Sequence, residues 1–379
     1  MAGVSSPSPT RSDERPALRI VPSTDSIANE HLRDTFERVH ALDLSLQLEI
    51  RLLARDGRIE YYVCPDVAST DTIGHALRQL FPDSTEMEAT TLPTGAVEEP
   101  TAALELHGRG ERLRDCQTRL RPVVRDEETP QLPLASLADA LTDLDSDTTV
   151  VYQAVLTPKP DWQPDAQVRI DRLKRHRDTF GQRLASDLLG ECEADPSIED
   201  VDRSHRARIE SIQAVDTRHS FIVNVRAVAA GQQAETTLRE IGNAVQPASG
   251  RFYRIRPRVT ADDEAAAKIA GRLRDADCIG RLPLAKRLTR RLPVTSNRSP
   301  AIICDPTTVA NFCLLDGASL SPDGRRATEA LNDPPEGEPR VEKEYSRNSP
   351  PKMWTIDTPG LTEVVTFQHL RDSVLDISR

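Results

Sequence analysis

Residues 45–63, SLQLEIRLLARDGRIEYYV, decide the fold class. Leu46, Leu48, Ile50 and Leu52 alternate with polar neighbours, the period-two pattern of a strand with one buried face. Asp56-Gly57 is a strong hairpin signal, because a two-residue turn of the right twist needs positive φ at both positions. The chain then returns through residues 59–64, with Tyr61 and Tyr62 in the second arm.

Outward from this hairpin, helices and strands alternate. Upstream, residues 30–41 carry Leu32, Phe36 and Val39 at helical spacing. Downstream, Thr70 or Asp71 caps a helix whose Ile73, Leu77, Leu80 and Phe81 share a face, and Pro82 stops it. A strand is expected at 86–92, with weaker ones at 102–106 and 117–124. Leu134, Leu137, Leu141 and Leu144 form one helical stripe. Residues 149–156, TVVYQAVL, read as a buried strand, and 165–189 as a charged helix. Strands at 221–228 and 251–257 then alternate with helices at 232–245 and 262–275. The pattern predicts an α+β fold of two ferredoxin-like α/β sandwiches with mainly antiparallel sheets. The expected division is a disordered tail at 1–29 and α+β domains at 30–147 and 148–280. A basic amphipathic and apolar connector at 281–321 and a mostly disordered linker and tail at 322–379 follow, low in large apolar residues beyond 322.

The 379 residues are enough for two domains with self-sufficient cores. The formal net charge is -11, and only six of the 49 basic residues are lysine. Guanidinium groups are weakly hydrated and fork onto carboxylates, and high salt screens an acidic surplus, so this balance points to a halophilic cytosol; a mesophile with a GC-rich genome, where arginine codons are frequent, is the alternative. An acidic total disfavours coating of nucleic acid over the whole surface but leaves room for a local basic patch. The six cysteines form no metal-type pair and read as small buried groups in a reducing compartment. The eight histidines are dispersed, with none at i, i+4, so no helical metal pair is expected. Phosphate-loop, HExxH and GxSxG patterns are missing, and no catalytic residue, cofactor or metal is nominated. The chain has no apolar run long enough for an integral membrane span, and residues 1–14 have no apolar signal core.

The sharpest local anomaly is residues 281–298, RLPLAKRLTRRLPVTSNR. Arg281, Lys286, Arg287, Arg290, Arg291 and Arg298 stand there without one acidic residue, and Leu282, Leu284, Leu288 and Leu292 give an apolar side. The segment reads as a contact for DNA phosphate, anionic lipid headgroups or an acidic partner. The alternative is a solvated cationic helix paired with the chain's own acidic loops. Arg169, Arg172, Lys174, Arg175, His176 and Arg177 are interleaved with acids and read as a salt-bridged exposed face. Trp162 reads as a loop packed on a sheet rather than as an interface anchor. Phe252 and Tyr253 lie among Arg251, Arg254 and Arg256, a pattern that can stack bases, but an aromatic content of 4% argues against it.

The order of these blocks resembles a known family. The hairpin at 45–63 leads to a helix ending LRQLFPDSTE (77–86). PLASLADALTDL (133–144) then runs into VVYQAVLTPKPDWQ (150–163), followed by FIVNVRAVA (221–229) and AETTLREIGNAVQPASGRFYRIR (234–256). Over about 44–320 this is similar to the N-terminal, non-motor region of conjugative DNA-transfer ATPases of the type IV secretion class, in their haloarchaeal form. The resemblance implies a non-catalytic scaffold module, cytoplasmic or peripheral at the inner face of the membrane. Its partners would be a hexameric DNA-transfer ATPase or other secretion-channel components. Family members continue into a motor with a Walker A loop, which this chain lacks, so either the motor is expected on a separate chain or the gene is a truncated relic. A DNA-binding accessory protein using 281–298, with DNA or an anionic membrane surface as partner, is the alternative.

Overall fold

The computed structural model describes residues 15–27, 29–42, 47–65, 70–93, 99–112, 114–123, 132–178, 201–279 and 298–329. All lie in the first of the chain's two compact units, Met1–Tyr345; the second, Ser346–Arg379, falls outside them. In chain order the described elements are β1 (Pro16–Val21), α1 (Asn29–Leu42), β2 (Leu48–Arg55), β3 (Arg58–Cys64), α2 (Thr70–Leu80), β4 (Glu86–Thr91) and β5 (Ala102–Gly110). Then come α3 (Pro133–Ala140), β6 (Thr149–Pro158), α4 (Gln163–Lys174), α5 (Arg203–Gln213), β7 (Phe221–Ala230), α6 (Ala234–Val245), β8 (Tyr253–Thr260) and α7 (Asp263–Arg274). The last are β9 (Arg298–Ser299), β10 (Ile302–Cys304), α8 (Ala310–Cys313) and α9 (Pro322–Glu329).

The α+β class is as the sequence implies, but the sheet is single. Among the described residues eight strands join in the order β4-β1-β3-β2-β6-β7-β5-β8 and two short ones complete a ten-stranded sheet, every pairing antiparallel. β5 leaves β7 after Glu105, and the short strands fill the opening: β10 pairs with the start of β7 and β9 with the end of β5. The β2–β3 turn is the one Asp56-Gly57 announces, with φ of 51° and 69°.

Alternation assigns the faces. Leu48, Ile50, Leu52, Tyr61, Val63, Leu104, Tyr152, Leu156, Val223 and Val225 point to the main core. There they meet Phe36 of α1, Leu77 of α2, Leu137 of α3, Leu238 and Ile241 of α6, and residues 309–315. The opposite face packs Leu53, Ala103, Val151 and Val228 under Ala266, Ile269 and Leu273 of α7. A third cluster joins α4 to α5 through Trp162, Ile170, Leu173, Ile209 and Ile212.

The α7 face is also where polar residues are buried. Arg51 and Gln153 donate to the Leu273 carbonyl at 3.1 and 2.7 Å, and Arg226 donates to the Arg272 carbonyl at 2.6 Å and to that of Asp277. These donors add to the backbone N–H groups of Ala276 and Asp277 that already close the end of the helix, and the guanidinium charges oppose the negative end of its dipole. Glu49, 1% exposed, accepts from Arg15, Arg51 and Gln153 and balances the cations. At the other end of α7, the Asp262 side chain accepts from the Ala265 N–H, a cap worth about 1 kcal/mol.

Five expectations are corrected. The two sandwiches are not separate sheets: β6 is hydrogen-bonded to β2 along seven residue pairs, and β5 lies between β7 and β8. The tail at 1–29 contains β1, which lies between β3 and β4 with Leu18 and Ile20 buried; its support comes from strands distant in sequence. The connector at 281–321 holds core, because Ile302, Cys304, Phe312 and Leu315 are buried in the main cluster, and α9 continues order to Glu329. Residues 117–123 form no strand: a short turn at Asp115–Gln117 leads into irregular chain tied to Ser211, Ala248 and Thr307. The charged helix ends at Lys174, and its expected part from 179 to 189 lies outside the described residues.

Candidate anion-binding face

β8 is the outer strand of the sheet, and its sequence YRIRPRVT alternates in burial. Tyr253 and Ile255 point into the main core, while Arg254, Arg256 and Arg258 are exposed on the opposite face. Pro257 has no N–H to offer another strand and helps protect this edge from pairing. Residues two apart on a strand are about 6.8 Å apart, so the three guanidinium groups form an even row.

The neighbouring strands extend the row sideways. In register, Arg254 lies opposite Arg109, Arg256 opposite His107 and Arg258 opposite Glu105. On the far side of β5, Arg298 of β9 lies opposite Arg109. Directly paired residues of an antiparallel sheet share a face, so Arg298, Arg109 and Arg254 stand side by side across three strands. All three are exposed. Among the described residues, Arg109, Arg254, Arg256 and Arg258 form no ion pair. Arg109 and Arg254 are like charges directly opposite each other, an unfavourable pair in a sheet that an anion lying between them would offset.

Glu105 marks the inner border. Glu105 is 2.9 Å from His107 Nε2 and 2.6 Å from Arg272 Nη1. Burial pushes its carboxyl up, but the His107 hydrogen bond and the Arg272 charge outweigh that and hold it below its ordinary value. Glycine makes the strand packing possible: a Cβ on Gly108 would lie 1.8 Å from Tyr253 Oη, so the ring occupies the space a side chain would take.

Of the residues nominated from sequence, Arg298 joins this face. Arg281, Lys286, Arg287, Arg290 and Arg291 lie outside the described residues, in the segment that leads directly into β9. Phe252 and Tyr253 are 5% and 1% exposed, which removes them as a base-stacking platform; Phe252 instead lies 4.2 Å beneath the Arg208 guanidinium. Trp162 is buried and donates to Ser220 Oγ at 3.0 Å, as expected of a packed loop. The charged face expected around 169–177 is partly interior. Arg169 is fully buried, 2.7 Å from Asp115 Oδ1 and 3.4 Å from Asp178, because α4 packs against α5 and the turn after β5.

Sequence reading missed Arg109 and Arg258. The period-two arginines of RIRPR were the available signal; Arg109 is visible only through strand register. Known protein-family models and curated proteins were compared with the chain, and none matches. Among the described residues no helix is long and apolar enough to cross a membrane.

Proposed function

We propose that this chain is a non-catalytic module of a conjugation-like DNA-transfer system that grips nucleic-acid backbone on the arginine face. The carrying observation is the row of Arg254, Arg256 and Arg258, flanked in register by Arg109 and Arg298, in a chain of net charge -11. An even row of fixed cations can meet several phosphates of one backbone at once, and each contact adds to affinity by releasing a condensed counterion. Arginine suits a saline cytosol: at a Debye length of about 3 Å only direct, bidentate guanidinium–phosphate contacts retain strength. The setting rests on the resemblance to DNA-transfer ATPases, and so do the cytoplasmic location and the separately encoded hexameric motor as partner. Arg298 supports the DNA-binding reading of 281–298, since it brings the end of that segment onto the same face.

The test compares the full chain with an R109A/R254A/R256A/R258A variant, using labelled duplex DNA and polyglutamate as probes. Binding of DNA that is weakened in the variant supports the proposal. Binding of polyglutamate with none to DNA would make the face an acidic-protein dock, and no binding of either would end the reading. Co-purification with a motor ATPase tests the partner.

A further inference from the structure

Just past the end of β5, beside Arg112, three ligand-type side chains converge around α4 and α5. His176 follows α4, Asp202 caps α5 and His205 lies in its first turn; one ligand atom from each lies within 4.8 Å of the others. Asp202 divides its oxygens. Oδ1 accepts from the N–H groups of Ser204 and His205 at 2.8 and 3.0 Å, while Oδ2 lies 2.9 Å from His205 Nδ1 and 3.8 Å from His176 Nδ1. A tetrahedral ion with bonds of about 2.0–2.2 Å holds its ligand atoms roughly 3.3–3.5 Å apart, and these spacings bracket that value.

One further fact points to a ligand. His205 is 2% exposed, and its Nδ1 is buried without a hydrogen bond of good geometry, despite facing Asp202. His176 holds a left-handed φ of 53°, an uncommon conformation for a residue other than glycine, fixed by the Arg177 N–H donating to the Arg172 carbonyl and its own N–H to that of Leu173. This turn brings its ring to 5.1 Å from that of His205.

We propose that His176, Asp202 and His205 bind a transition-metal dication of the Zn²⁺ class through two imidazoles and one carboxylate, with the fourth position open to water. The site shares no residue with the arginine face. A rival cluster, Glu37, Asp216 and His219, already holds a cation, since Arg33 lies 2.6 Å from Glu37 and 3.9 Å from Asp216. At the proposed site Arg112 Nη1 donates to His205 Nε2 at 2.8 Å, which keeps the ring proton on Nδ1. Metal at Nδ1 moves that proton to Nε2, so Arg112 must turn away, toward the Asp178 oxygen it already meets at 3.1 Å. Arg112 therefore opposes binding.

The experiment titrates chelator-treated full-length protein with Zn²⁺ by calorimetry, and with Co²⁺ by visible absorption. One ion per chain is expected. H176Q and D202N should each weaken binding by at least the 10–100-fold that loss of an outer-shell partner costs; Asn caps a helix as well as Asp, so the second variant keeps the fold. R112A should tighten binding. Absence of saturable binding, undiminished binding in H176Q and D202N, or loss of binding in E37Q instead would each overturn the site.

Discussion

Arg169 and Arg256 carry the same group at opposite extremes of exposure. Arg169 is buried against Asp115 and Asp178, while Arg256 faces solvent on the outer strand. Removing one partner of a buried pair leaves an uncompensated charge, so R169A should cost about 3–5 kcal/mol in urea unfolding. R256A should change stability by no more than about 0.5 kcal/mol. Glu105 gives a pH signature. Its folded value lies below its unfolded one, so its contribution is complete above the ordinary glutamate range and is lost as pH falls through the folded value. Acid unfolding of E105Q should show a shallower limb there; an unchanged limb would remove Glu105 from the account. The polar residues of 45–63 misled at this scale. Glu49 and Arg51 alternate as solvent-facing residues do, yet they are 1% and 8% exposed, because the end of α7 covers them: the Leu273 carbonyl accepts from Arg51, and Glu49 accepts from Arg51 and Gln153.

Local patterning recovered most elements because their signals are local. The Asp56-Gly57 turn, the stripe on α2 and the β-branched run of β6 each announce themselves within a dozen residues. The elements that escaped draw their stability from elsewhere. β1 is six residues held between β3 and β4, and β9 and β10 have two and three residues each, shaped by the opening between β5 and β7. The same holds for the candidate face, since the arginines of β8 are legible in sequence but their alignment with Arg109 and Arg298 is set by register.

The whole sheet crosses the boundary that the sequence suggested at 147/148. β2 pairs with β6, and β5 contributes its edges to β7 and β8, so each half depends on the other for backbone partners and core. Fragments 30–147 and 148–280 expressed alone should therefore lack the cooperative unfolding transition that the full chain shows; two independently folding fragments would restore the two-domain reading. The anion face draws on both halves too, with Arg109 from one and Arg254, Arg256 and Arg258 from the other. The most direct test of its proposed role is the slope of log affinity for duplex DNA against log salt, for the full chain and for R109A/R254A/R256A/R258A. The slope should flatten in the variant by about 0.9 for every phosphate that its missing guanidinium groups no longer neutralise. Identical slopes would show that the arginine face does not hold DNA.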